Sequence, residues 1–400
     1  MTPKSEQELS DAIKSAQGPL RIHGGATRPL GNPVDGTALS TEGLSGITLY
    51  EPGALTLVAQ AGTPLAEIEV ALDSENQRLA FEPMDHRGLL GTKGEPTIGG
   101  VVAGNVSGPR RISVGACRDH MLGVRFVDGQ GIITKNGGRV MKNVTGYDLV
   151  KLLTGSYGSL GVMSEVSLKV LPKPETSASL VIRDLEDAHA VDAMSRALGS
   201  PYEVTGAAWD AEKAVHFRLE GFEASVAYRT QQLKELLGAF GDVQLSDDPE
   251  ATWRDIRDVA PFADKDVVVR MSIKPSGLSE MMYATRNMFV DYEARKPTFD
   301  VMADWGGGLV WIGADAEQLK ACATVLEGEP TAEIGAKVLV EFLQSHCALD
   351  GGHATLIKGP DALRHAVPAF QPENVTVAAL SKALRAKFDP RGILNAGIMG

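Results

Sequence analysis

Cysteine is scarce. The chain has three, Cys117, Cys322 and Cys347, with no CxxC pair and no zinc or iron–sulfur spacing. That excludes a disulfide framework and a metal cluster of the chain's own, and it points to a reducing cytoplasm. Long apolar runs are also missing: none approaches the ~20 residues that cross a bilayer. The opening MTPKSEQELSDAIKSA has no signal-peptide core and reads as a capped amphipathic helix. Positive charge is short, 39 Lys and Arg against 51 Asp and Glu for a net −12, which excludes nucleic acid as a partner. Neither GxGxxG nor GxxxxGK[ST] occurs, so a doubly wound nicotinamide site and a P-loop are both excluded. There is no convincing internal repeat.

What is present is an ordinary globular composition, 43% hydrophobic and 22% charged, in 400 residues. That length suggests two or three domains. A helix is expected over 5–16 and a short strand over 20–22. The strand runs into His23-Gly24-Gly25-Ala26-Thr27-Arg28. Such a turn aims successive N–H groups at one point, a nest suited to a pyrophosphate, and Arg28 adds charge. Strands over 44–50 and 55–61, a helix from Gly62 to Leu72 and a strand over 79–81 make an expected βαβ unit.

Glycine, 44 in 400 overall, crowds between Gly88 and Gly161. Strands at 122–127 and 131–134 interrupt the crowding, which argues against disorder. Thr97-Ile98-Gly99-Gly100 opens a second glycine cradle. The densest stretch follows at 137–172. Lys142-Asn143 and Gly146-Tyr147-Asp148 precede a helix-period run at 149–153. Gly155-Ser156-Tyr157-Gly158-Ser159-Leu160-Gly161 is a turn with little side-chain bulk, and 162–170 alternates as a strand stopped by Pro172. Glycines let backbone approach a flat or anionic ligand closely, so the stretch reads as a cofactor cradle beside the plainer reading of a glycine-rich loop.

Beyond Pro172-Lys173-Pro174 the glycines thin. Strands are expected near 178–182, 206–209, 214–219, 266–273, 298–304 and 308–312, with helices near 188–198, 225–240, 278–288 and 375–387. This is an α+β pattern with a boundary near 172–177.

Several pieces, taken in order, resemble the vanillyl-alcohol-oxidase-type, or PCMH-type, FAD-binding family, and within it the flavin subunits of bacterial glycolate oxidases. They are Gly24-Gly25-Ala26-Thr27, Ala61-Gly62-Thr63-Pro64, Thr97-Ile98-Gly99-Gly100, Gly108-Pro109-Arg110-Arg111, Arg118-Asp119 with Leu122-Gly123, and Met141-Lys142-Asn143-Val144 with Gly146-Tyr147-Asp148. Gly155-Ser156-Tyr157-Gly158 with Leu160-Gly161-Val162, Asp304-Trp305-Gly306-Gly307, Gly351-Gly352-His353-Ala354 and Asp389-Pro390 with Gly392 complete the set.

The resemblance implies an FAD-binding domain of two α+β subdomains over 1–174, an α+β cap over 175–370, and a C-terminal segment, 371–400, that returns to the flavin. It implies that Gly24 to Arg28 form the pyrophosphate loop, with His23 beside it as a further cofactor-binding candidate. Thr97, Ile98, Gly99, Gly100 and Ser107 would approach the flavin and pyrophosphate. Gly158, Ser159, Gly161 and Val162 would approach the adenine and ribose. Arg118, Asp119, Lys142, Asn143 and Tyr147 are further candidates on motif grounds, and Asn395 would close on the flavin. Some relatives attach FAD through a histidine where this chain has Ala26, so non-covalent FAD is expected. The usual C-terminal Asn-Pro-Gly reads Asn395-Ala396-Gly397. The implied partners are a sister FAD subunit and an iron–sulfur subunit, with a small 2-hydroxy acid as substrate. The expected location is cytoplasmic, with any membrane contact peripheral and made through partner subunits.

Oxidising a 2-hydroxy acid needs a hydride acceptor, a group that takes the hydroxyl proton, and a cation for the carboxylate. Arg110 and Arg111 are the candidates for the cation, since arginine grips a carboxylate with two bonds. Both read equally as pyrophosphate or partner contacts. His346 and His353 invite a base or metal reading. Related hydroxy-acid dehydrogenases carry Gly-His-x-Gly-Asp-Gly-Asn-x-His, and this chain has only Gly352-His353-Ala354-Thr355. No metal is expected, and His353 reads either as a proton-handling residue or as a structural strand histidine. Asp148 has a simple alternative as a helix cap. The chain is therefore expected to be an FAD-dependent oxidoreductase subunit of glycolate oxidation. The alternatives are an electron-relay or assembly subunit and a stand-alone D-lactate-type dehydrogenase.

Overall fold

The computed structural model describes residues 1–139, 146–289, 299–325 and 329–400. The first helix, Glu6–Ser15, begins where Ser5 Oγ accepts from the Glu8 N–H, and it buries Leu9 and Ile13, one turn apart. Two strands, Leu20–His23 and Thr37–Ser40, pair in parallel beside it. Next comes a five-stranded antiparallel sheet in the order Ile47–Glu51, Thr56–Gln60, Val162–Lys169, Met121–Val127, Ile133–Gly137. Its buried residues Leu57, Ala59, Val124, Phe126, Val166 and Leu168 pack against Ile68, Val101 and Val102.

The expected βαβ unit does not form. Helix Leu65–Asp73 is present, but the strand after it is only Gln77–Arg78, which pairs with Leu171–Pro172 in a separate two-stranded sheet. Leu79, Ala80 and Phe81 are apolar because they are buried, in a turn that ends with Glu82 at φ +53°.

The second large sheet has eight strands, antiparallel throughout: Gln244–Leu245, Thr176–Ile182, Val215–Gly221, Gly206–Trp209, Asp300–Asp304, Leu309–Ala314, Val267–Ser272, His353–Lys358. Its two faces do different things. Val267, Val269 and Met271 share a core with helices Leu278–Met288 and Ala332–Leu349. Val268, Met302, Trp311 and Ile357 point the other way, into one cluster with Phe81, Met84, Leu89 and Val106 of the N-terminal half. The sheet is thus a roof whose lower face shares a core with the glycine-rich half. Residues 393–395 return to extend the parallel pair, with Leu394 bridged to Leu20 and Leu20 N–H donating to the Ile393 carbonyl at 2.7 Å.

Candidate functional site

A cleft opens between the His23–Arg28 turn, the start of helix Ile98–Ala103, the Tyr157–Val162 turn and Asn395. Thr97 caps that helix, its Oγ1 accepting from Gly100 N–H at 3.3 Å. The walls touch because they lack side chains. A Cβ on Gly25 would stand 1.7 Å from the Glu95 carbonyl oxygen, and Gly158 holds φ at +75°. Asn395 ties two walls together: its Oδ1 accepts from Ile22 N–H at 2.7 Å, and its Nδ2 donates to the Tyr157 carbonyl at 2.8 Å. His23 lines the cleft with Nδ1 held 2.7 Å from the Gly24 carbonyl. Ala26, at φ +52°, offers only a methyl group and no atom for a covalent flavin link.

Arg28 also lines this cleft, yet its Nη1 is buried with no hydrogen-bond partner, and burial lowers the guanidinium to about 10. An orphaned buried cation beside a glycine-rich wall fits a diphosphate-bearing cofactor. FAD, which the glycines admit and Arg28 requires as a counter-charge, fits the residues present.

A second group of cations gathers where the roof meets the glycine-rich half. Arg270 lies between Val268 and Ser272 on strand Val267–Ser272, so pleat alternation turns it toward the glycine-rich half, and its register partners are Trp311 and Thr355. Arg111 stacks over the Trp305 ring at 4.2 Å, and Trp305 Nε1 donates to the Gly108 carbonyl at 3.1 Å. Partial burial, then the charges of Arg270 and Arg111, lower the His353 imidazole. His86 is held well below the usual histidine range by burial first and then by Arg28 and Arg270. Among the described residues, no salt bridge engages Arg28, Arg111 or Arg270. On a chain of net −12, that is a built anion site.

Of the residues expected from sequence, His23, Gly24, Gly25, Ala26, Thr27, Arg28, Thr97, Gly99, Gly100, Gly158, Gly161, Val162 and Asn395 all meet in the cleft. Others lie elsewhere. Ile98 is core. Ser107 Oγ accepts from Cys117 N–H, and Asp119 accepts from Ala116 N–H. Arg118 is exposed on the helix between them, and Tyr147 is 88% exposed. Ser159 Oγ is turned back onto the Ser156 carbonyl. Asp148 caps helix Leu149–Leu153 by accepting from Lys151 N–H. Lys142 and Asn143 lie outside the described residues.

Arg110 and Arg111, adjacent in sequence, part company. Arg110 is taken up by Glu220 at 2.9 Å and Glu82 at 2.9 Å in a buried network with Arg78 and Arg218. It joins the two halves of the molecule through these two carboxylates, whereas Arg270 and Arg111 both act on His353. His346 stacks on Phe342 in helix Ala332–Leu349, away from His353. Sequence reasoning missed Arg270 and His86, and also Tyr157 and Gly104 of the cleft wall. Among the described residues, no three His, Cys, Asp or Glu gather as a metal ligand set.

A glycine-walled cleft with an unpaired buried cation, under an antiparallel α+β roof, defines the class: a PCMH-type FAD-binding flavoprotein. The comparisons place it further. Residues 1–137 match the family model described as "FAD binding domain". The chain is 32% identical over 397 residues to glycolate oxidase subunit GlcE of Escherichia coli, covering 98% of this chain and 95% of that one. It is 25% identical to glycolate oxidase subunit GlcD of Bacillus subtilis over 86% of this chain and 75% of that one. Its fold is that of 4-ethylphenol oxidase from Gulosibacter chungangensis, with TM-score 0.73, 12% identity, and coverage of 100% of this chain and 88% of the other. The chain belongs to the family of glycolate oxidase subunit GlcE, as the sequence motifs implied, and it is an FAD-dependent oxidoreductase.

Proposed function

We propose that this chain is the FAD-binding subunit of a glycolate oxidase and that a small 2-hydroxy acid meets its own flavin. The observation that carries the reading is a pair of cations that no salt bridge engages among the described residues, Arg270 on the roof strand and Arg111 on the short helix Arg111–Val114 stacked over Trp305, both close enough to His353 to lower its imidazole. When bound, FAD supplies the two-electron acceptor for the hydride on the substrate's C2. The protein does the rest. Arg270 and Arg111 hold the carboxylate, and the stack on Trp305 fixes the angle of the Arg111 plane. Arg28 meets the cofactor's negative charge, and non-covalent attachment follows from Ala26. The partners in this reading are the sister flavin subunit and an iron–sulfur subunit, which takes the electrons onward. The location is cytoplasmic, with any membrane contact made through those partners. Among the described residues, no helix is long and apolar enough to cross a membrane.

The test is the visible spectrum of the purified, FAD-loaded chain before and after anaerobic glycolate. Bleaching is expected, and acid precipitation should release all the flavin. Flavin bands that glycolate and D-lactate both leave unchanged would move oxidation to the sister subunit and leave this chain an electron relay. No flavin bands at all, even after incubation with FAD, would overturn the cofactor site.

A further inference from the structure

One wall of the flavin cleft carries an aromatic ring that the glycine motifs do not account for. Tyr157 lines the cleft together with Arg28, Gly100 and Gly104. Its backbone sits at φ +52°, a left-handed conformation that a residue with a side chain adopts only at a cost. Glycine occupies the other two left-handed positions of this turn, Gly155 at φ +85° and Gly158 at φ +75°. The main chain at Tyr157 is fixed from both sides. Its N–H donates to the Ala103 carbonyl at 3.0 Å, and its carbonyl accepts from Asn395 Nδ2 at 2.8 Å. Phe370 meets the ring edge-on, with centroids 4.9 Å apart. Backbone and neighbour together settle where the ring points.

Helix Ile98–Ala103 shows what stands beside that ring. Gly104 N–H donates to the Gly100 carbonyl at 3.2 Å, so the two glycines lie one turn apart, ~5.4 Å along the axis. A Cβ on Gly100 would stand 3.1 Å from Arg28 Nη2, and a Cβ on Gly104 would stand 4.0 Å from Tyr157 Cε1. Residues four apart share a helix face, so the guanidinium and the phenol are neighbours over one bare face of this helix. Cε1 is bonded to the carbon that carries the hydroxyl. Among the described residues that hydroxyl makes no hydrogen bond, and Arg28 Nη1 makes none either. Of the groups near enough to act on the Arg28 charge, Tyr157 acts most strongly, ahead of Asp85 and Cys117.

Two unengaged donors, a helical turn apart in the cleft, match two linked acceptors. We infer that the Tyr157 hydroxyl donates to the cofactor's diphosphate, binding one phosphate while Arg28 meets the other. The inference rests on the cofactor half of the function proposed above. A phenol gives one directed O–H bond and carries no charge, so it adds a contact without setting a second buried cation against Arg28. Its oxygen also accepts, which leaves the second phosphate free to take the guanidinium donors. The strained backbone at Tyr157 then has a purpose: it aims the one hydroxyl of this turn that is not bonded within its own loop, since Ser156 and Ser159 both donate to carbonyls of the same segment.

The experiment uses the full chain, stripped of flavin and reloaded with FAD, and its Tyr157→Phe and Tyr157→Leu variants. Three quantities are read: FAD affinity from flavin fluorescence, the phosphorus NMR spectrum of bound FAD, and the melting temperature of the apo chain. Tyr157→Phe should weaken FAD binding about 10-fold, the value of one hydrogen bond to a charged group, and should move the diphosphate resonances. The apo melting temperature should stay at the wild-type value, because the lost bond exists only in the loaded state. Tyr157→Leu should weaken binding at least as much. Tyr157→Phe that binds FAD like wild type, or leaves the phosphorus resonances unmoved, overturns the assignment. So does a loss of affinity matched by an equal loss of apo stability. Phe tolerated where Leu is not would make the ring the contact and overturn the hydroxyl. A wild-type chain that takes up no FAD overturns the cofactor site first, whereas a flavin that glycolate leaves oxidised overturns the substrate reading and leaves Tyr157 in place.

Discussion

Arg28 and Arg270 do opposite jobs with the same chemistry. In the proposed reading Arg28 serves the cofactor, its buried Nη1 having no hydrogen-bond partner within the chain. Arg28→Met should weaken FAD binding about 10- to 100-fold, the value of one charge-assisted hydrogen bond at ~1.5–3 kcal/mol, and Arg28→Lys should recover part of it. Titration of the apo chain with FAD, followed by flavin fluorescence, measures both. In the proposed reading Arg270 serves the substrate, so Arg270→Met should leave FAD affinity unchanged. It should raise KM for glycolate by about 100-fold, with a smaller loss in kcat. Steady-state kinetics separates the two terms, and an effect on FAD affinity equal to that of Arg28→Met would count against the division.

The elements that build the cleft are short, and their joints matter more than their lengths. Asn395 is the clearest joint, reaching the main chain at Ile22 and at Tyr157 together. Asn395→Ala removes both bonds and leaves buried backbone groups unpaired, which should cost ~2–4 kcal/mol in the FAD-loaded state. A thermal shift of the holo chain larger than that of the apo chain is the expected sign. How far these elements could be read beforehand depends on how local their cause is. The helix ending at Ser15 and the strand Val162–Lys169 follow from period and caps, and the glycine turns follow from the missing Cβ atoms. Arg270 is one polar residue in an apolar run, VVVRMS, and only the register with Trp311 and Thr355 reveals which face it takes. His86 has no spacing signature, because the two arginines that define its surroundings stand far from it in sequence. Leu79 to Phe81 misled for a related reason, since burial without pairing looks like a strand.

At the scale of the whole molecule, the roof is fastened to the glycine-rich half by buried charge. Burial alone would raise the Glu220 carboxyl, but the bond from Arg110 and the charges of Arg218, Arg110 and Arg78 hold it at about 2. A carboxyl lowered in the folded state stabilises fully above its ordinary range near 4.5 and loses that contribution as the pH falls toward 2. Glu220→Gln should therefore flatten the acid side of the stability profile, and at pH 7 it should destabilise by ~3–5 kcal/mol because it strands buried arginines. Asp304 has the opposite sign. Burial lifts it to about 7 against 3.8, so its ionisation costs stability progressively as the pH rises through that window. Asp304→Asn should raise the melting temperature at pH 8 more than at pH 5. Chemical denaturation across the pH range tests both, and a Glu220→Gln profile parallel to wild type would show the fastening to be unimportant.

The pairing of Leu20 with residues 393–395 has a consequence for biosynthesis. Ile22 and Asn395 stand on one wall of the cleft, so a nascent chain still on the ribosome has the first half of its nest but not the residue that braces it. Tight flavin loading must wait until the chain has been translated through residue 395. The cofactor then becomes a mark of translation through residue 395: a product halted earlier would emerge colourless, and only chains with both parts of that wall in place would turn yellow.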